Sequence, residues 1–207
     1  MSARIPVPPA SMIEPPAPVP AAYLGVWQRS LLQTPRWHAD LRIPAGRPDF
    51  AGVTSLAECD DAQLAWLATQ QGFCGVTQVV GERCTWHRQM DIQPADGSRD
   101  TGRMIIDGER MTETGIEADY LEIWDRLPHS RGGVAALELA AESGRPPDRP
   151  TWLLVAGDCF MFVRGRTARL PRAADLTTLI AHARPDREQL LGGLRVATKQ
   201  LSGAVGQ

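Results

Sequence analysis

The sequence has a single lysine, no long apolar run and no basic excess, and each of these absences excludes a class of protein. Lys199 is the only lysine among 22 basic residues, and 24 acidic residues give a formal net charge of −2. This balance provides no basic field for nucleic-acid binding. The chain also lacks an apolar run of membrane-spanning length and the basic and apolar regions of a secretory signal. We therefore expect a soluble, cytoplasmic protein with neither nucleic-acid nor membrane partners.

Cysteine pairs and reaction motifs are missing as well. The four cysteines, Cys59, Cys74, Cys84 and Cys159, have no CxxC spacing. In a reducing compartment they are expected to be buried or free thiols. We find no G-x-S-x-G motif, no glycine-rich phosphate loop between a strand and a helix, and no HxH or HExxH pair. The sequence therefore favours a protein that is not an enzyme, and it predicts no catalytic residues, no cofactor and no metal.

Residues 72–127 carry the clearest structural signal. Runs rich in Val, Ile, Thr, Trp and Tyr alternate there with glycine-containing turns. These turns are Val80-Gly81-Glu82, Ala95-Asp96-Gly97, Asp107-Gly108 and Thr114-Gly115. Short runs with this punctuation predict consecutive antiparallel hairpins, so a meander of four or five strands is expected.

Weaker patterns flank this meander. Further predicted strands cover residues 23–33, 37–43, 133–141, 152–156 and 159–164, with at most one more in residues 194–207. One predicted short helix begins at Asp60 or Asp61 and ends at Gln71, before Gly72. Two more predicted helices cover residues 175–183 and 186–191. Residues 1–20 are rich in proline, which favours polyproline II and builds no core. We expect a disordered arm over residues 1–20 and a single domain over residues 21–207.

The order of short motifs resembles a known family. The runs WHADLRIP, GFCG, DTGRM, TETG and ADYLEIWDRL follow one another within residues 23–166. The most specific series comprises Gly102, Met104, Glu113, Gly115, Asp119, Tyr120, Glu122 and Trp124. This pattern resembles the lipocalin-like proteins of fungi that interact with a casein kinase, together with uncharacterised bacterial relatives. The resemblance implies an all-β, mainly antiparallel, calycin-type barrel with one or two short helices, and no enzymatic activity.

Strand alternation suggests a ligand site inside such a barrel. His38, Asp40 and Arg42 share one face of residues 37–43, and Thr85 and His87 share one face of a later run. The candidate ligand-binding residues are His38, Asp40, Arg42, Trp86, His87, Tyr120, Glu122 and Trp124. A barrel of about eight strands can hold one small ligand. In the alternative interpretation, the polar residues face solvent and Trp37, Leu41, Trp86, Met90, Leu121 and Ile123 fill the core.

Three functions remain open from the sequence. The first is a barrel that binds a small, partly apolar or amphipathic ligand without chemistry. The second is a protein-interaction module that uses the outer sheet and the proline-rich arm. The third is a cofactor-independent lyase or isomerase that uses His87 and Arg42. His38, His87 and a carboxylate are also a ligand set compatible with zinc or iron, but the histidines lack a local ligand spacing.

Overall fold

The computed structural model describes residues 17–27, 31–139, 150–166, 170–173, 175–182 and 195–200. The strands, numbered in chain order, are β1 (Gly25–Trp27), β2 (Leu31–Gln33), β3 (Trp37–Arg42), β4 (Gln71–Val80), β5 (Arg83–Asp91), β6 (Asp100–Asp107), β7 (Arg110–Gly115), β8 (Leu121–Asp125), β9 (Val134–Glu138), β10 (Thr151–Ala156), β11 (Cys159–Arg164) and β12 (Arg195–Gln200). The helices are α1 (Asp61–Ala68) and α2 (Leu176–His182), with 3₁₀ turns at Ala21–Tyr23 and Leu56–Glu58.

Strands β1 to β8 form one antiparallel sheet in sequence order. The sheet nearly closes on itself, because Trp27 of β1 bridges to Arg126 just after β8. Next to this bridge, the Leu127 N–H donates to the Val26 carbonyl oxygen at 2.7 Å. The predicted fold, a mainly antiparallel barrel with short helices, is therefore confirmed.

A second sheet covers part of the outside of the barrel. Its strand order is β12-β11-β10-β9, and β10 lies against β2 and β3. The rings of Trp37 and Trp152 have centroids 3.7 Å apart across this interface. Ala39, Cys74 and Met90 join the same apolar cluster from the barrel side. The sequence predicts a single barrel and does not separate this second sheet from it. The predicted hairpin of residues 152–156 and 159–164 and the predicted strand at 133–141 are confirmed.

Two local predictions are wrong. Residues 23–33 do not form one strand, because Gly25 pairs with Gln33 in a hairpin of β1 and β2. The sequence between the two strands contains no glycine or proline, so the pairing of β1 with β2 has no sequence signal of the usual kind. The helix at 60–71 ends at Ala68, because the residues from Gln71 onward belong to β4.

The predicted start of α1 is confirmed by its cap. The Asp60 Oδ1 atom accepts from the Gln63 N–H at 2.8 Å, and Gln63 Oε1 accepts from the Asp60 N–H at 2.9 Å. This reciprocal pair is a capping box, which satisfies two N–H groups at the helix start. Among the described residues, neither helix is long and apolar enough to cross a membrane.

Other predictions fall largely outside the described residues. These are the helix at 186–191 and most of the proline-rich arm. Residues 17–20 of that arm are described, and Val19 is buried with its N–H donating to the Pro35 carbonyl oxygen at 2.7 Å. Val19, within the arm predicted to be disordered, therefore packs against the barrel.

One end of the barrel interior is apolar. Its side chains are Val19, Tyr23, Trp27, Leu31, Val79, Cys84, Met104, Ile106 and Met111. Arg126 binds the segment that leads into β1. Its guanidinium donates to the carbonyl oxygens of Ala22, at 2.7 Å, and Leu24, and its central carbon lies 4.2 Å from the Trp27 ring centre. We call this region the apolar end.

Candidate functional site

The opposite end of the barrel interior is lined by ionisable side chains. Strand pairing places Arg42 of β3, Asp91 of β5, Asp100 of β6 and Gly115 of β7 at the same end of the sheet. The residues of this charged end are Asp40, Arg42, Arg88, Asp91, Asp100, Glu113, Tyr120 and Glu122. They come from five strands and the turn before β8, so only the closed sheet brings them together.

Arg42 joins β3 to β8 across the charged end. Its Nε lies 3.1 Å from Asp40 Oδ2, and its Nη1 lies 3.3 Å from Glu122 Oε1. The guanidinium carbon is also 5.2 Å from the centre of the Trp124 ring. Asp40 is 1% exposed, so this ion pair compensates a carboxylate that is almost wholly removed from water. Alternation alone places His38, Asp40 and Arg42 on this face.

A directional chain of hydrogen bonds orients His38. The Gln33 side-chain amide donates to the carbonyl oxygens of Thr34, at 2.7 Å, and Trp37, at 3.2 Å, so its oxygen is left to accept. The Thr77 hydroxyl donates its one hydrogen to that oxygen at 2.8 Å. His38 Nδ1, 3.0 Å from Thr77 Oγ1, must therefore carry a hydrogen and donate it. In a neutral ring, this assigns the Nδ1–H tautomer and leaves Nε2 as an acceptor.

Burial keeps His38 neutral. The side chain is fully buried, which lowers its pKa to about 3, and the positive charges of Arg88 and His87 act in the same direction. The rings of His38 and Phe73 meet edge to face, with their centroids 5.8 Å apart. Phe73 also contacts Arg88, whose guanidinium carbon lies 3.7 Å from the Phe73 ring centre. His38 is thus continuous with the charged end.

Arg88 is held by two carboxylates. Its Nη2 lies 2.5 Å from Asp100 Oδ2, and its Nη1 lies 3.0 Å from Asp91 Oδ2. A bulge makes this possible, because Gly75 pairs with Arg88 while the preceding Cys74 pairs with Met90. A Cβ at Gly75 would lie 1.9 Å from the His87 carbonyl oxygen, so the bulge requires glycine. The bulge also sends Met90 outward and brings Asp91 to the interior face.

Glu113 and Tyr120 form a second buried acidic contact. The Tyr120 hydroxyl donates to Glu113 Oε1 at 2.6 Å, and Glu113 is 4% exposed. Two paired glycines make room for it: a Cβ at Gly102 would lie 2.8 Å from the Glu113 side chain, and one at Gly115 would lie 2.6 Å from the Tyr120 ring. The Gly-x-Met motif of β6 and the Glu-x-Gly motif of β7 therefore pack directly against each other.

The Glu113 carboxyl group titrates near neutrality. Burial raises its pKa to about 7, and the charges of Glu122 and Asp100 contribute to the increase. The hydrogen bond from Tyr120 and the charge of Arg42 oppose it. A carboxyl group with such a pKa can hold or release a proton at physiological pH.

A groove adjoins the charged end where β5 and β6 separate. Their pairing stops at Trp86 and Asp100, and the chain between β5 and β6 turns away from the sheet. The groove has a volume of about 1010 Å³. Barrel residues Trp86, Arg88 and Asp100 line it together with Pro94, Arg166 and Thr177. It therefore connects the outside to the interior face of β5.

Several buried polar atoms of the interior make no hydrogen bond. Within the part of the chain that the structure describes, they include His38 Nε2, Trp86 Nε1 and Trp124 Nε1. Each of these residues is at least nine-tenths buried. A buried donor or acceptor without a partner costs about 1–3 kcal/mol. Such atoms are expected where a ligand completes the hydrogen bonding.

The structure groups most of the sequence-predicted site residues. On or beside the charged end lie His38, Asp40, Arg42, Trp86, Tyr120, Glu122 and Trp124. His87 points to the outer face, where it is exposed and lies 3.2 Å from Gln78 Oε1, but it also lines the groove beside the charged end. A cavity of about 350 Å³ lies on the outer face, lined in part by Thr85 and His87.

Sequence reasoning missed six participants, namely Gln33, Thr77, Arg88, Asp91, Asp100 and Glu113. Glu113 had an available signal, because it alternates with Met111 and Gly115 on one face of β7. Arg88 likewise alternates with Cys84 and Trp86. Gln33 and Thr77 had no signal, because their role depends on hydrogen bonds to residues brought near by strand pairing.

The geometry at the charged end supports binding more directly than metal ligation. No group of three or more His, Cys, Asp or Glu side chains within the described residues is arranged to hold a metal ion. Comparison of the chain with protein-family models, curated proteins and solved structures finds no match.

Proposed function

We propose that this protein is a lipocalin-like barrel of the cytoplasm that binds a small, partly apolar molecule at its charged end without transforming it. The observation that carries the proposal is the set of buried, unpartnered atoms His38 Nε2, Trp86 Nε1 and Trp124 Nε1. A ligand with both donor and acceptor groups would satisfy them. The indole rings that carry two of these atoms supply the apolar contact area.

The groove supports this proposal. Its volume, about 1010 Å³, is large enough for a small-molecule ligand, since such pockets are commonly about 300–1,000 Å³. Trp86 belongs to both the groove and the apolar cluster of the barrel interior. A ligand body in the groove would therefore place its polar group toward the charged end.

Binding of the neutral fluorophore prodan to the full chain tests the proposal. We expect a saturable increase in its emission, weakened in Trp86→Phe and Trp124→Phe because each loses an indole donor. Trp152→Phe is the matched control, because Trp152 packs against Trp37 outside the barrel interior. Equal loss of binding in all three variants, or no saturable binding to the unchanged chain, would contradict the proposal. Native mass spectrometry of freshly purified protein would show a co-purifying ligand directly.

An exposed apolar surface favours protein interaction as a second candidate function. Ile105, Leu121 and Ile123 point outward from β6 and β8 and are 58%, 65% and 48% exposed. Ile105 and Ile123 both pair with Thr112 of β7, so the row is continuous. Partner binding at this surface would be reduced by Ile105→Thr with Ile123→Thr and unaffected by Trp86→Phe. The lyase or isomerase alternative has less support, because His87 lies on the outer face, away from Arg42.

A further inference from the structure

We infer that the charged end selects an organic amine over a carboxylic acid of the same shape. This inference rests on the proposed binding function and specifies the ligand class. Two independent observations support it. The first is the buried hydrogen-bond acceptor His38 Nε2, and the second is an excess of carboxylates over arginines around it.

The first observation concerns hydrogen-bond direction. The Gln33 and Thr77 chain assigns the hydrogen of the His38 ring to Nδ1, so the buried Nε2 accepts. No described residue donates to Nε2. An amine can donate to this atom, whereas an ionised carboxylate has only acceptors.

The second observation is an excess of carboxylates over cations. The carboxylates of the interior face and the adjoining groove outnumber the arginines: Asp40, Asp91, Asp96, Asp100, Glu113, Glu122 and Asp175 lie there with Arg42, Arg88, Arg99 and Arg166. Arg99 already pairs with Glu117 at 2.8 Å. Glu113 has no ion-pair partner among the described residues, and its recorded hydrogen bond comes from Tyr120. An ammonium group would reduce this negative excess, and a carboxylate would increase it.

The arginines are already engaged. Arg42 pairs with Asp40 and Glu122, and Arg88 pairs with Asp91 and Asp100. Arg166 donates to the main-chain carbonyl oxygen of Asp91 at 2.5 Å and to that of Ile92 at 2.7 Å. An entering anion would have to displace these contacts, so the guanidinium groups do not form a ready anion site.

The indole N–H groups of Trp86 and Trp124 add a requirement for an oxygen acceptor. An aromatic amine with a hydroxyl group meets every condition: an apolar ring, an oxygen and an amino donor. Tyramine is therefore a suitable probe. Tyrosol replaces its ammonium group with a hydroxyl, and 4-hydroxyphenylacetate replaces it with a carboxylate, so the three probes differ chiefly in charge.

Competition against prodan at pH 8 tests the inference. Tyramine should displace prodan at a concentration about tenfold lower than tyrosol, as one favourable charge contact of about 1.4 kcal/mol predicts, and 4-hydroxyphenylacetate should be weaker still. Glu113→Gln should bring the affinity for tyramine close to the affinity for tyrosol, because the ammonium group loses its unpaired carboxylate. Equal affinity of tyramine and tyrosol, or stronger binding of the acid, would overturn the inference while prodan binding keeps the proposed function. Absence of prodan binding would overturn both.

Nitrogen-15 spectra of histidine-labelled protein provide a second readout. We expect one of the four histidines to be a neutral Nδ1–H tautomer at pH 6, and its Nε2 signal to move when tyramine binds. Thr77→Val should remove the tautomer preference, whereas Thr77→Ser should retain it. An Nε2–H tautomer at His38 in the unchanged chain would overturn the inference whatever the competition shows.

Discussion

Glu113 and Glu122 are opposite each other on β7 and β8, and of the two only Glu122 has an arginine of the described chain within ion-pair distance. Like charges at paired positions of neighbouring strands destabilise a sheet. Burial is the largest cause of the raised Glu113 pKa, and the Glu122 carboxylate adds to it. The pair therefore makes folding sensitive to pH near neutrality.

Glu113→Gln should be more stable than the unchanged chain at pH 8. The Glu113 pKa rises from its ordinary value of 4.5 to about 7 on folding, so the native state holds more protons between these values. Its contribution to stability therefore falls as the pH rises through this window, by up to about 3 kcal/mol. Urea unfolding at several pH values should show the advantage of Glu113→Gln at pH 8 disappear below pH 4.5. A difference that does not vary with pH would contradict the assignment.

His38 should have the opposite effect in acid. Its pKa falls from 6.5 to about 3 on folding, so the unfolded chain binds more protons between these values. Stability from neutral, buried His38 is present above pH 6.5 and is lost as the pH falls toward 3, by roughly 3–5 kcal/mol. Relative to His38→Gln, the unchanged chain should lose stability between pH 6.5 and 4 in urea unfolding. Parallel pH profiles would show that folding does not lower the His38 pKa.

Arg126→Ala should destabilise the apolar end by about 2–4 kcal/mol, because two main-chain carbonyl oxygens lose a donor and Trp27 loses its cation. Arg110→Ala is a suitable control, since Arg110 pairs with Asp125 and is 62% exposed. Its cost should be within about 1 kcal/mol. The midpoint of urea unfolding, at unchanged slope, measures both. Similar midpoints for the two variants would show that the Arg126 contacts contribute little.

The strand pattern was readable from the sequence, but the identity of the inner face was not. Alternation on β3 separates Trp37 and Ala39 from His38 and Asp40 without ambiguity. Both faces are buried, however, because the second sheet covers Trp37 and Ala39 from outside. An apolar face is therefore no guide to the interior.

Neighbouring strands show the same difficulty with different outcomes. On β5 the apolar Trp86 faces inward and polar His87 outward, whereas on β8 polar Glu122 faces inward and apolar Ile123 outward. Each of the two sequence interpretations is thus correct for some strands. The chain from Gln33 through Thr77 to His38 adds contacts between residues up to 44 positions apart, which alternation within one strand cannot reveal.

Replacing Trp86 or Trp124 with phenylalanine should change stability little without ligand, because each substitution removes a buried N–H that has no partner in the described structure. Removing the unpaired N–H stabilises the folded chain by about 1–3 kcal/mol, and this gain offsets the stability lost with the smaller buried ring. Trp27→Phe removes a similar ring but also the 2.8 Å hydrogen bond from Trp27 Nε1 to the Tyr23 carbonyl oxygen. It should be less stable than the other two by about 1–3 kcal/mol. Equal unfolding midpoints for all three would contradict this distinction.

Arg42→Ala and His87→Ala should separate the inner face from the outer face. Arg42→Ala removes the ion pair of buried Asp40 and the link to Glu122, so we expect a loss of about 1–3 kcal/mol and weaker prodan binding. His87→Ala changes an exposed side chain on the outer face, and its effect should be within about 0.5 kcal/mol. Urea unfolding and prodan titration of the two variants measure both effects. If His87→Ala weakened binding while Arg42→Ala did not, the ligand would lie away from Arg42, either in the part of the groove near His87 or in the outer cavity beside Thr85.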